Sequence, residues 1–409
     1  MDITPIVLPR DNDIRYLKRL IRKNLVLLLG PRGIGKSWLI KRLLKENIIN
    51  EVFDFKLEVF RGFRSYHDIL ESIIETKGVI GIDHIEILPR EYRYGSITNK
   101  VLSRMESGGI IATHWRGIIS LLKKFDIDYT IYMLSEIPLK LVYKALVKAY
   151  EDVEPEVLWK FVGLFEGYPS AIIYTLLKSN LNDILYFDNG MWMLRWSVIH
   201  DIDYLYKTYP ELYNIKRELD LHNLLRLASW SRPNTIMSSI GPKTNVYLSR
   251  LYNAGILDRI KTINGTYYYI RDPFARLLLS YTEPKDISLE NIKSYIGVNF
   301  LIIQLMHTAQ GQRIKDVFGK ELFIGNISQY DIDDDIITLF GNMKVAIKVH
   351  LGPYRKPPIE DLYNTKADAR LLFLIGSEFK GRDLADIHIF DDSIIGFLSA
   401  RLGFERIIS

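Results

Sequence analysis

Three observations predict an α/β fold built on a parallel sheet with both faces covered. Short apolar runs recur along the first 137 residues, at Leu25–Leu29, Val52–Phe60, Lys77–Asp83, Gly109–Thr113 and Asp128–Leu134. Stretches of helical periodicity separate them, and such alternation marks parallel strands joined by crossover helices. Between the first run and a helix that includes Trp38–Leu44 stands Gly30-Pro31-Arg32-Gly33-Ile34-Gly35-Lys36-Ser37, which reads G-x-x-x-x-G-K-S. That is the phosphate-binding loop in its expected strand-to-helix setting.

The spacing has a chemical reason. Glycines let successive backbone N–H groups turn inward around phosphate oxygens, and the following helix N-terminus adds partial positive charge. Lys36 then reaches the β- and γ-phosphates, and the Ser37 hydroxyl ligates the Mg²⁺ that bridges them. ATP and Mg²⁺ are the expected ligands. Ahead of the loop, Pro9-Arg10-Asp11-Asn12-Asp13 opens a helix whose apolar positions are Ile14, Leu17, Leu20 and Ile21.

The run ending at Asp83 matches a buried strand with a carboxylate at its carboxyl end, which would hold the metal opposite Ser37. A glutamate that polarises the attacking water normally follows, and here the residue is His84, with Glu86 two further on. Asp83, His84 and Glu86 are therefore the catalytic candidates. The alternative for the last two is a plain polar strand end, and the departure from glutamate predicts slow hydrolysis. Thr113, His114 and Arg116 lie just past the next strand, placing a γ-phosphate sensor or a solvated loop there.

Composition narrows the classes. The 409 residues are 48% hydrophobic and 25% charged, ordinary globular values, and allow two to four domains. No cysteine is present, which excludes disulfides, thiolate metal sites and cysteine nucleophiles. No apolar run approaches the roughly 18 residues of a membrane span, and the N-terminus lacks a signal-peptide pattern, so a cytoplasmic protein is expected. The net charge of +5 is uneven: residues 209–283 hold ten Lys+Arg against six Asp+Glu, whereas 284–409 hold fifteen against seventeen.

From Pro138 strand signals stop, and Leu139–Tyr150, Pro155–Glu166 and Ser170–Leu177 read as consecutive helices with Gly167-Tyr168-Pro169 between the last two. Arg10, the Gly30–Ser37 loop, Asp83, the polar strand end at Thr113 and Gly167-x-Pro169 together resemble the archaeal ATPase family, within the STAND group of signal-transducing AAA+ ATPases. The resemblance implies a P-loop core over 1–137, a helical lid over 138–208, a winged helix over 209–283 and a restriction-endonuclease-like α/β domain over 284–409. It also implies that Arg10, Gly167 and Pro169 lie near the adenine side of the nucleotide.

Residues 209–283 fit the third of these. Leu221–Trp230, Thr235–Ile240 and the stretch from Pro242 to Gly255 read as three helices, and Ile256–Lys261 with Thr266–Ile270 flank Asn264-Gly265, a strong hairpin signal. Such a module lays its third helix in the DNA major groove, where Lys243, Thr244, Asn245 and Arg250 would be available, or else serves as a protein contact. In the last segment an apolar helix, Ile292–Met306, precedes strands at Glu321–Ile324, Ile336–Phe340, Lys344–His350 and Leu371–Ile375. A nuclease site needs an Asp on one strand and Glu-x-Lys on the next. Asp335 and Lys348 match but Ala346 replaces the glutamate, so a degenerate, inactive site is expected, with Asp333 and Asp334 on a preceding loop. The resulting reading is an ATP-operated switch acting on or near duplex DNA, with protein partners or self-association through the last domain. A small-molecule kinase, or a nucleotide-bound scaffold for protein partners, is the alternative.

Overall fold

In the computed structural model, residues 8–60, 62, 64–209, 223–226, 228, 232–233, 238–262, 265–281, 283–289, 296–333, 336–352 and 359–402 are described. The chain divides into two units, one comprising Arg10–Ser135 with Val246–Leu257, the other comprising mainly Glu136–Asn245 and Asp258–Ser409.

In the first unit, helix α1 (Asp11–Leu20) precedes β1 (Leu25–Leu29), α2 (Lys36–Lys45), β2 (Glu51–Asp54), α3 (Phe55–Phe60), α4 (Tyr66–Glu75) and β3 (Ile80–Asp83). There follow α5 (Arg90–Arg93), α6 (Ser96–Met105), β4 (Gly109–Thr113), α7 (Ile118–Lys124) and β5 (Tyr129–Met133). The strands pair in parallel in the order β2-β3-β4-β1-β5, the expected α/β class and consistent with a P-loop AAA+ fold. This order sets the ends of β3 and β4 beside the loop that leaves β1. Strands β1 and β4 are buried at every position, which is why they read as unbroken apolar runs. Leu27, Ile82 and Ile111 share one core cluster with Leu70, Leu102 and Leu122 of α4, α6 and α7. Each such side chain contributes roughly 1.5–3 kcal/mol on burial.

One strand is shorter than the apolar pattern suggests. The run read as Val52–Phe60 is a strand only to Asp54, whose carboxylate accepts hydrogen bonds from the Lys56 and Leu57 amides at 3.1 and 3.2 Å. A side chain that satisfies those donors ends the strand and starts α3.

In the second unit, α8 (Leu139–Ala149), α9 (Pro155–Phe165), α10 (Pro169–Lys178) and α11 (Leu181–Ile184) follow the helical reading. A hairpin then departs from it. Strands β6 (Leu185–Asp188) and β7 (Met191–Leu194) are joined through Asn189 and Gly190, both at positive φ (49° and 83°), the two-residue turn that Asn-Gly favours. Helices α12 (Trp196–Ile199) and α13 (Ile202–Thr208) come next.

Residues 223–226 are helical, whereas residues 235–237 and Asn264 lie outside the described residues. Strand β8 (Arg232–Pro233), helix α14 (Thr244–Asn253) and the hairpin strands β9 (Leu257–Thr262) and β10 (Gly265–Ile270) follow, with sheet order β8-β10-β9. At the junction after β10, the Arg271 guanidinium forms a bidentate pair with Glu136, at 2.5 and 2.9 Å. The buried Asp272 carboxylate caps α15 (Pro273–Ser280) through the Phe274 and Ala275 amides and accepts from the Tyr204 and Tyr209 hydroxyls.

Beyond β11 (Ile287–Ser288) and α16 (Ile296–Thr308), the chain forms β12 (Arg313–Lys315), β13 (Glu321–Phe323), β14 (Ile327–Asp333), β15 (Ile336–Gly341) and β16 (Val345–Leu351). It finishes with α17 (Glu360–Asn364), β17 (Ala369–Ile375), β18 (His388–Asp391) and α18 (Asp392–Arg401). Strands β14 to β18 form one sheet in sequence order, antiparallel through β16 and parallel after it. Asp333, expected on a loop, instead ends β14 in register with Ile336. Asp334 and Asp335 lie outside the described residues.

Candidate phosphate-binding site

The loop after β1 wraps back on itself as the motif requires. Gly33 and Gly35 take positive φ (73° and 98°), and α2 begins at Lys36. A Cβ at Gly30 would lie 2.7 Å from the Leu134 carbonyl oxygen, so a side chain is excluded there as well. The Lys36 ammonium donates to the Gly30 and Pro31 carbonyls at 2.9 and 2.6 Å, inside the cradle where phosphate charge would compete for it. Arg10 is buried beneath the loop. Its guanidinium donates to the carbonyls of Ile34 (2.7 Å) and Ser135 (2.9 Å) and pairs with Asp13 (3.2 Å), so it braces the turn that presents Gly35 and Lys36.

Asp83 ends β3 and is 3% exposed; its Oδ1 accepts the His84 amide at 3.0 Å, and the Ser37 side chain stands beside it. Burial pushes its pKa up, as do the Asp54 and Glu86 carboxylates, while His84 and Ser37 oppose the shift. A buried carboxylate facing a hydroxyl is a pair of hard oxygen donors whose excess negative charge a cation relieves. Those donors suit Mg²⁺ with phosphate and water completing its shell.

Two polar clusters flank Asp83. On the β2 side, Asp54 stands in register with Asp83, and its Oδ1 lies 3.0 Å from His84 Nδ1. His84 sits in left-handed backbone (φ 58°), which turns its ring toward both carboxylates, with Asp83 Oδ2 3.5 Å from Nδ1. Burial works against the charged imidazole, but the Asp54 bond and the charges of Asp83, Asp54 and Glu86 outweigh it and raise its pKa. Asp54 is likewise opposed by burial, yet the His84 bond and the Lys56 and Leu57 amides hold it below the usual carboxylate value.

On the β4 side, the Thr113 hydroxyl donates to Glu86 Oε2 at 2.6 Å, and His114 Nδ1 lies 3.0 Å from Oε1. Burial would raise the Glu86 pKa, but these two partners bring it down to about 2. His114 shifts down, chiefly through burial and also through the charges of Arg32 and Lys36, against the pull of Glu86. The consistent state is a neutral ring donating Nδ1–H to an anionic Glu86.

The structure thus brings Gly30–Ser37, Asp83, His84, Glu86, Thr113 and His114 to one sheet edge, and adds Asp54 to the site residues. Asp54 was concealed as an interior position of an apolar run. Arg116 turns elsewhere: its guanidinium stacks 3.8 Å from the ring centroid of Tyr252, near the end of α14. The turn after that helix packs here too, since a Cβ at Gly255 would meet His114 Cβ at 3.5 Å and Pro31 Cα at 3.7 Å.

The remaining sequence candidates lie in other settings. Gly167, at φ 71°, accepts a hydrogen bond from the Ile137 amide (2.9 Å), and a side chain there would collide with the Ile137 carbonyl. Pro169 occupies the first turn of α10. Lys243, Asn245 and Arg250 are exposed, whereas Thr244 is buried with its hydroxyl on the Gly241 carbonyl at 2.8 Å, serving the helix start instead of the surface. Lys348 is buried and bonded to Asp361 at 3.0 Å. Its partner Asp335 in the expected degenerate site lies outside the described residues.

Fold and site define an α/β protein with a P-loop after its first strand. No protein-family model and no curated protein sequence matches the chain. Among solved structures it is similar to a Walker-type ATPase of Pyrococcus abyssi, at 15% identity and a TM-score of 0.49, over 67% of this chain and 96% of that one. It is also similar to a STAND protein with a tetratricopeptide repeat sensor from Pyrococcus horikoshii, at 18% identity and a TM-score of 0.31, over 74% of this chain and 47% of the other. The RuvB Holliday junction branch migration motor of Thermotoga maritima is a third, at 18% and 0.36, over 63% and 93%. Among the described residues no helix is long and apolar enough to cross a membrane.

Proposed function

We propose that this chain is an ATP-binding, slowly hydrolysing switch of the STAND/AAA+ kind, as the resemblance to the archaeal ATPase family implies. The observation that carries the reading is the juxtaposition of the Gly33/Gly35 loop, the Lys36 ammonium and the neighbouring Ser37 and Asp83 side chains. Lys36 supplies charge to the phosphates, and Ser37 with Asp83 would hold Mg²⁺, which when bound supplies electrophilic polarisation of the γ-phosphate. In this reading 138–208 is the lid and 209–283 a winged helix whose exposed Lys243, Asn245 and Arg250 face duplex DNA. Residues 284–409 are a nuclease-like domain retained for docking partners or a second copy.

Hydrogen exchange with saturating ATP–Mg²⁺, with ADP and without nucleotide tests the switch. Protection at residues 30–37 with either nucleotide, and a difference between ATP and ADP over residues 238–281, is the expected result. Unchanged exchange at 30–37 contradicts nucleotide binding, and identical ATP and ADP patterns contradict switching. For DNA, charge reversal at Lys243 and Arg250 should lower the slope of log affinity against log salt by roughly two contacts' worth.

A further inference from the structure

The sequence leaves open what replaces the glutamate that normally orients the attacking water. Glu86 is already committed: both carboxylate oxygens accept hydrogen bonds, one from Thr113 and one from His114, and its side chain is 10% exposed. It ties the end of β4 to the turn after β3. His84 has the other character. Only Nδ1 of its ring is engaged among the described residues, and the side chain keeps 23% of its surface at the strand edge beside Ser37 and Asp83.

From this geometry we infer that Asp54, a carboxylate supplied by the neighbouring strand, is a positioning residue for His84, and that the pair does the work of the missing glutamate. The inference rests on the ATP-hydrolysing reading above. Asp54 is itself fixed, since the oxygen that meets His84 also accepts the Lys56 and Leu57 amides. A rigid acceptor at Nδ1 fixes ring orientation and places the Nδ1 proton, leaving Nε2 as the atom presented to the reacting end of the nucleotide. With the ring neutral and its proton on Nδ1, Nε2 accepts a hydrogen bond from the water. Water adds to the γ-phosphorus, the bridging P–O bond breaks with its electron pair going to ADP, and the water's proton is released to solvent.

The test pairs calorimetric titration of ATP–Mg²⁺ with single-turnover hydrolysis, on wild type, Asp54→Asn, His84→Gln, the double variant and Glu86→Gln. Asparagine caps a helix as well as aspartate, so α3 is retained in Asp54→Asn. The expected result is a rate lower by about 10²-fold with affinity changed less than about twofold. The double variant should be no slower than His84→Gln alone, because Asp54 acts only through His84. A wild-type rate in Asp54→Asn with the loss confined to Glu86→Gln overturns the inference, as does a fully additive double variant. A wild-type chain that binds ATP without hydrolysing it overturns the inference and leaves nucleotide binding intact. Absence of binding removes the reading on which it rests.

Discussion

At the carboxyl edge of the parallel sheet, Asp54, Asp83, His84, Glu86 and Thr113 come from three neighbouring strands or the turns that follow them and hydrogen-bond to partners within the same edge. In the mixed sheet of the last segment, the buried Lys348 on β16 bonds to Asp361, a carboxylate 67% exposed, and the position two before it is Ala346. Both sheets have five strands and a polar residue at a buried strand position. What separates them is where the polar groups converge. Parallel strands place their carboxyl ends on one side, so single residues from several strands meet there and can share a ligand. In the second sheet the antiparallel step between β15 and β16 sets Lys348 opposite Ile336, an apolar partner, and its charge is answered by one surface carboxylate. The first edge gathers buried polar groups from several strands, whereas the second pairs a single lysine with one surface carboxylate.

The largest contrast should appear when a single carboxylate is neutralised at the first edge. Asp83→Asn removes one of the two hard donors, so the gain in ATP affinity that Mg²⁺ supplies, expected to be about tenfold or more in the wild type, should vanish. Stability should move the other way. The folded-state pKa of Asp83 is raised, so its ionised form is disfavoured by folding at neutral pH, and asparagine relieves that penalty. Thermal denaturation without nucleotide should therefore show a higher Tm for Asp83→Asn. A lower one would mean that the carboxylate belongs to the fold instead of to the ligand.

Glu86 sharpens the comparison within the first edge, because it is satisfied as Lys348 is, yet buried with its partners. Its folded-state pKa of about 2 lies below the usual 4.5. Its contribution is thus complete above about pH 4.5 and lost as pH falls through 2. We expect Glu86→Gln to cost about 2 kcal/mol at pH 7 and the difference from wild type to shrink steadily below pH 4.5, read by denaturant unfolding across that range. A difference independent of pH would show that the carboxylate is not the stabilising form.

At the second edge the effect should be smallest. Lys348→Met removes one charge of a pair whose other member is in water, so the change in stability should stay within about 1 kcal/mol. Incubation with supercoiled DNA in Mg²⁺ or Mn²⁺ should yield no cleavage by either form. Cleavage that disappears in Lys348→Met would erase the contrast between the two sheets.

The contrast was only partly legible in the sequence. The phosphate loop and the five parallel strands were, because each β strand of that sheet is buried or bounded by turn residues and its apolar run is local. Asp83 followed from the end of its run. Asp54 did not, because a carboxylate that caps a helix directly after a strand looks like an interruption within one longer apolar run. Nor could spacing say whether Glu86 or His84 faces the ligand. That depends on the left-handed backbone at His84 and on hydrogen bonds to residues about 30 positions away in the chain. The Asn189-Gly190 hairpin was readable from its turn chemistry but lay among helical signals. The Lys348–Asp361 pair joins a strand to a helix across an intervening segment, and no local pattern announces it.

In the proposed reading the loop after β1 holds nucleotide phosphates through Lys36. Calorimetric titration of ATP with Mg²⁺ into wild type and Lys36→Ala tests it most directly. Saturable one-site binding by the wild type is expected, with an affinity at least about 100-fold weaker in the variant, since charge-assisted contacts to phosphate are worth several kcal/mol together. Both proteins should unfold within a few degrees of each other without ligand, because the Lys36 ammonium donates to carbonyls of its own loop. Equal affinity in the two proteins would mean that Lys36 does not hold the phosphates.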